Sequence, residues 1–186
     1  MKKTALVLGL GNVLYGDEGL GVHLIRHLKL AYRFSGSLEL IDGGALGFEL
    51  AGLIARYEQV FILDAIAGDP GAVYCFSPAD LPPGSGSKLS SHEWEVMEVL
   101  WALGLTGELP EVVFFAVGVE PRGSHGTSLG VGVSPPVRAG MRRLVRALVA
   151  ELDRAGYAPT PTGAKAPLDF AIEELIPGEE RCTKPV

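Results

Sequence analysis

Basic charge, cysteine and long apolar runs are all scarce in this chain, and each scarcity excludes something. Lysine and arginine number 16 against 22 aspartate and glutamate, a formal net charge of −6. A phosphate-binding surface draws on clustered Lys and Arg, so nucleic acid is not an expected partner. Only two cysteines occur, Cys75 and Cys182, far apart and without a CxxC spacing. They form no disulfide framework and point to a reducing compartment. No apolar run approaches the roughly 20 residues that a membrane helix needs. Met1-Lys2-Lys3 ahead of TALVLGLG has the outline of a secretory leader. Asn12 interrupts that run, Asp17 and Glu18 follow at once, and no A-x-A-like cleavage site appears. A buried first strand in a cytoplasmic protein is therefore expected. A G-x-S-x-G turn is absent too, and neither cysteine has a basic partner nearby in sequence, so no nucleophilic triad is evident.

What is present suits one globular domain. The chain has 186 residues, 47% hydrophobic and 20% charged. A domain of this size buries about 70% of the surface its unfolded chain exposes. Short apolar runs at 4–10, 38–41, 60–63, 72–76 and 112–119 read as strands. Amphipathic runs at 18–30, 48–56, 90–103 and 135–152 read as helices, with Leu24, Ile25 and Leu28 on one face of the first. Ser90 and Glu93 form a capping box for the third, and Pro135-Pro136 open the fourth. The turn Gly68-Asp69-Pro70-Gly71 suggests that the third and fourth strands form a hairpin. Alternating strands and helices imply a single three-layer α/β/α domain over 1–155. Its sheet is expected to be five-stranded, twisted and mostly parallel, with helices on both faces. A Pro- and Gly-rich tail follows over 156–186, in which 168–176 fits either a short docked helix or loosely packed chain.

Open α/β sheets bind ligands at the carboxyl ends of their strands, and acidic residues collect there. Asp17 and Glu18 follow strand one, Asp42 ends strand two, Asp64 ends strand three and Glu120 follows strand five. His92 falls in the first turn of the third helix. Unit charges 4 Å apart interact by about 4 kcal/mol at an effective dielectric of 20, so converging carboxylates call for a cation or a proton. Carboxylates with one imidazole make an open site for a divalent metal. Glu18, Asp64 and His92 are the ligands we select, with Asp42 as general base or supporting group. On spacing alone, a first-turn charge at Glu18 and a polar cap at His92 stand ahead of metal binding. The run Gly9-Leu10-Gly11-Asn12-Val13-Leu14 has a dinucleotide-binding outline, but its third glycine position is Leu14. Asp17 and Glu18 would also repel a pyrophosphate at the helix start. His23 and His27 have the i, i+4 spacing of a chelating pair but fall off the apolar face, so a solvated helix side is expected. His125, in a Gly- and Ser-rich loop, is a further candidate to line the site.

LVLGLGNVLYGDEGLGVHLI at the start resembles the opening of the hydrogenase maturation endopeptidases. LIDGGALGFEL, VFILDAI, LSSHEWEVMEVL, VVFFAVGVEP and VGVSPPV resemble that family's later motifs, in its order, over roughly 5–150. The resemblance implies an endopeptidase, metal-dependent or aspartyl-type, that removes a C-terminal extension from the large-subunit precursor of a nickel-containing hydrogenase. It implies that Glu18, Asp64 and His92 bind metal and that Asp42 takes part in cleavage. The metal would be nickel supplied by the substrate, and another divalent ion could occupy the site in vitro. A non-catalytic chaperone that checks nickel loading is the alternative. Two positions depart from the family pattern: Ala45 stands where Thr usually follows D-G-G, and Glu120 where Gln often precedes the proline.

Overall fold

The computed structural model describes residues 4–44, 49–80, 91–120 and 132–170, and over 91–94 the backbone alone. β1 (Thr4–Leu10) carries no polar side chain after Thr4, as suits a strand covered on both faces. Ala5 and Val7 face one layer and Leu6, Leu8 and Leu10 the other, all fully buried. There follow a 3-10 turn (Gly16–Gly19), α1 (Leu20–Ala31), β2 (Tyr32–Phe34), β3 (Ser37–Gly44), α2 (Glu49–Ile54) and β4 (Gln59–Ala67). Next come β5 (Val73–Phe76), a second 3-10 turn (Pro78–Asp80), α3 (Ser91–Thr106), β6 (Glu111–Val119), α4 (Pro135–Arg154) and β7 (Pro159–Pro161).

Five strands form one sheet in the order β3-β1-β4-β6-β5. The first four are parallel, and β5 runs antiparallel to β6. α1 and α4 cover one face, while α2 and α3 cover the other. The three-layer, mostly parallel architecture expected from the alternation is thus the one formed. α4 shows why the periodicity was readable: Val137, Met141, Leu144, Leu148 and Leu152 recur every three or four residues and are all buried.

The hairpin between the third and fourth strands does not form. β6 lies between β4 and β5, and β5 pairs with it from Val73↔Val117 to Phe76↔Phe114. The turn at 68–71 crosses the end of β6, where the Gly71 amide donates to the Gly118 carbonyl at 2.8 Å.

Residues 157–170 run as a strap across the α1–α4 side. β7 pairs antiparallel with β2, a short ribbon that the apolar pattern does not mark. Tyr157 and Phe170 enter the core at 3% and 4% exposure. Residues 168–170 are irregular rather than helical, and the rest of the candidate helix at 168–176 lies outside the described residues, as do Ser90 and the side chain of Glu93.

The strap also corrects the solvated reading of His23 and His27. His23 is 1% exposed and stacks on Phe170, with ring centroids 6.3 Å apart. Its Nδ1 accepts the Phe170 amide at 3.1 Å. His27 Nδ1 donates toward the carbonyls of Ala166 and Pro167, each 3.0 Å away. The pair that looked free to chelate holds the strap instead.

Candidate active site at the strand ends

β1 is the switch point of the sheet. From its carboxyl end the chain passes through α1 to β3 on one side, then returns through α2 to β4 on the other. The connections that leave the carboxyl ends of β1 and β4 run to opposite sides, toward β3 and toward β5 and β6, and the point where they part is where open α/β sheets bind ligands. Two glycines let the backbone close there. A Cβ on Gly21, in the first turn of α1, would stand 2.1 Å from the Leu10 carbonyl oxygen and 2.4 Å from that of Leu63. Gly11 has φ +126, and a Cβ there would stand 1.9 Å from the Glu18 carbonyl oxygen.

The turn leading from Gly11 to Glu18 is closed by its own hydrogen bonds. Asn12 Oδ1 accepts the Leu14 amide at 3.0 Å, and the Asn12 carbonyl accepts the Tyr15 amide at 3.0 Å. The Glu18 amide donates to Tyr15 at 3.3 Å, and the Glu18 carbonyl accepts the Asn12 amide at 3.2 Å. Glu18 is therefore held beside the end of β1, partly exposed. Leu14 and Tyr15 project from the same turn at 44% and 37% exposure.

Asp42 and Asp64 flank β1. Gly9 pairs with Asp42 on one side and Leu63 on the other, so Asp64 lies one residue further along. With strands about 4.8 Å apart, the two acids are separated by about 10 Å of backbone. Alternation sets them on different faces. Asp64 continues the series Val60, Ile62 on the α2–α3 face, and Asp42 continues Leu38, Leu40 on the α1–α4 face. Asp42 is exposed, and its Oδ1 accepts the Gly44 amide at 2.9 Å in a tight turn that gives Gly44 φ +49. Asp64 is 6% exposed, and its Oδ1 accepts the Ala65 amide at 2.8 Å.

α3 begins on the same sheet face as Asp64, with His92 as its second residue. Among the described residues, no three His, Cys, Asp or Glu side chains gather closely enough to hold an ion. The His92 ring lies outside them, and so do Ala45 and His125. Glu120 is exposed just past β6. Cys75 is on the edge strand β5, and desolvation, then Glu151, push its thiol pKa up, the opposite of an activated nucleophile.

Asp17, grouped by the sequence with the rim acids, has another contact. Its Oδ1 accepts the Ser134 amide at 2.6 Å and its Oδ2 the Ser134 hydroxyl at 2.8 Å. Ser134 is the N-cap of α4, 117 residues away, and no local pattern could reveal that pairing.

A family model described as hydrogenase maturation protease matches residues 22–151. The chain belongs to the hydrogenase maturation protease family. It is 33% identical over 162 residues to the hydrogenase 2 maturation protease of Escherichia coli (strain K12), covering 86% of this chain and 96% of that one. It is 31% identical to the hydrogenase expression/formation protein HupD of Rhizobium leguminosarum bv. viciae, covering 87% and 81%. Its fold is similar to that of the hydrogenase maturating endopeptidase HybD from E. coli. That match has a TM-score of 0.72 at 29% identity, over 86% of this chain and 98% of the other. The solution structure of an endopeptidase from Escherichia coli gives 0.74 at 32% identity, over 87% and 99%. The protein is accordingly an endopeptidase of hydrogenase maturation.

Proposed function

We propose that this protease removes the C-terminal extension of the large-subunit precursor of a nickel-containing hydrogenase, and that Glu18, Asp64 and His92 grip the precursor's own nickel. The observation that carries the reading is the setting of Asp64. It is a carboxylate 6% exposed, at the switch point of the sheet, on the face covered by α3, whose second residue is His92. The Ala65 amide donates to Asp64 Oδ1 at 2.8 Å and orients the carboxylate, and carboxylate oxygens are donors that a divalent ion accepts. Two carboxylates and an imidazole suit a borderline divalent metal, nickel included, and another such ion can take the same donors in vitro.

The nickel is substrate, because it enters with the precursor. Gripping it fixes the scissile peptide relative to the strand ends, and positioning alone lowers a barrier substantially. The bound ion can also polarise a carbonyl. Asp42, exposed across β1, is the carboxylate set to take a proton from an attacking water. The separation of about 10 Å from Asp64 is the length of roughly three extended residues, so a peptide can run from the metal grip to this base. Leu14 and Tyr15, exposed beside Glu18, give the incoming polypeptide an apolar lip. No helix among the described residues is long and apolar enough to cross a membrane, and the reading puts the reaction in the cytoplasm.

Mixing the purified protein with nickel-loaded precursor should produce a mass loss at the precursor's C-terminus. Glu18→Gln, Asp64→Asn and His92→Ala should each reduce processing to background while circular dichroism stays unchanged. Full processing by any of the three would remove that residue from the ligand set. A stable complex without cleavage would favour a nickel-checking chaperone.

A further inference from the structure

The family model ends at residue 151, so the strap that follows α4 lies beyond it. Within the strap, Asp169 forms an ion pair with Arg138 of α4, and its Oδ1 accepts the Val133 amide at 3.3 Å. Arg138 Nη2 donates in turn to the Val133 carbonyl at 2.9 Å. The next residue, Ser134, is held from the other side by both carboxylate oxygens of Asp17, at 2.6 and 2.8 Å. Two carboxylates from opposite ends of the chain thus pin two consecutive residues at the start of α4. One of them is the immediate neighbour of Glu18.

The chemistry of that spot suits the arrangement. Unsatisfied amides and the positive end of the dipole at the start of α4 favour negative charge, and Arg138 balances the second carboxylate. The turn's own hydrogen bonds hold its backbone beside β1, and the bond pair from Asp17 joins that turn, and Glu18 with it, to the start of α4. Ser134 in turn keeps its place because Val133 is buried and tied to Asp169 and Arg138.

We propose that Asp17 is a positioning residue for the processing reaction, and that the strap, through Asp169, supplies the second pin that keeps Asp17's partner in register. The proposal rests on the reading of Glu18 as part of the site.

Steady-state processing of nickel-loaded precursor by the full chain tests it, with Asp17→Ala, Asp17→Asn, Ser134→Ala, Asp169→Ala and Glu18→Gln compared and each melting temperature recorded. Asp17→Ala should raise KM about tenfold, the scale of one lost charge-assisted hydrogen bond. Asp17→Asn keeps an acceptor for the Ser134 amide and should recover most of that loss. Asp169→Ala should move KM in the same direction by a smaller factor. A merely structural cap behaves differently: its loss lowers the melting temperature and leaves KM and kcat of the folded enzyme at wild-type values. That result overturns the proposal. Should Asp17→Ala not fold, Ser134→Ala removes one hydroxyl contact and reads the same split on a smaller scale. Glu18→Gln inactive beside a normal Asp17→Ala overturns this proposal alone, whereas wild-type processing by Glu18→Gln overturns the reading beneath it as well.

Discussion

His23 is an imidazole committed to its neutral form. Its Nδ1 accepts the Phe170 amide, which requires that nitrogen to be unprotonated. Burial holds its pKa below the ordinary value; Asp169 pulls it up and Arg138 pushes it down. Arg26 lies 6.0 Å from the centroid of the same Phe170 ring. As pH falls through about 6.5, the unfolded chain takes up this proton before the folded one, so the folded state loses stability toward acid. The melting temperature should therefore decline below that pH, and His23→Gln should flatten the decline. An unchanged slope in the variant would assign it to other groups. Glu18, Asp42 and Asp64 stand out in the sequence because the stops of apolar runs mark strand ends, and His92 because it falls in the first turn of an amphipathic run. The burial of His23 does not, because what covers it arrives from Phe170, 147 residues later. A side chain off the apolar face of its own helix looks solvated until a distant segment is laid over it.

Elements bounded by side-chain pattern alone come out short wherever the pattern stops before the pairing does. The apolar run suggests strands at 38–41 and 60–63, whereas β3 continues to Gly44 and β4 to Ala67. Asp42 reads as the end of its strand, yet Gly44 still pairs with Leu10 across a register shift. Asp64 reads as a strand end, yet β4 pairs with β6 as far as Ala67↔Val119. The two candidate acids thus belong to the sheet itself and inherit its rigidity. The mistaken hairpin has a similar origin, since a good turn signal states that the chain bends and not which strand it meets. Helix α1 can lie against the ends of β1 and β4 only because residue 21 lacks a side chain. Gly21→Ala should cost about 3 kcal/mol or more by forcing α1 off two backbone carbonyls. Urea unfolding of the variant checks it, and a shift of the midpoint within error would mean that the helix can retreat freely.

At the scale of the whole molecule, the strap completes the α1–α4 layer rather than trailing from it. Ending the chain at residue 156 would take Tyr157 and Phe170 out of the core and remove the β7 pairing. Loss of large buried aromatics costs about 3–5 kcal/mol each at full truncation. The shortened protein should thus unfold at clearly lower urea concentration than the full chain, and an equal midpoint would show the α1–α4 layer to be self-sufficient. The layer order was legible because strand and helix periods alternate cleanly up to α4. Past that point Pro, Gly and Thr carry no period, and docking there depends on single side chains.

The central place of β1 sets an order of events during synthesis. It leaves the ribosome before the strands that flank it, which end at residues 44 and 67, and the sheet's last partner, β6, ends at 119. A nascent chain therefore carries an apolar strand with open edges until both neighbours have been made, a state that invites pairing with the wrong chain. Any halt in translation before β6 emerges leaves the edge strand β5 without its neighbour.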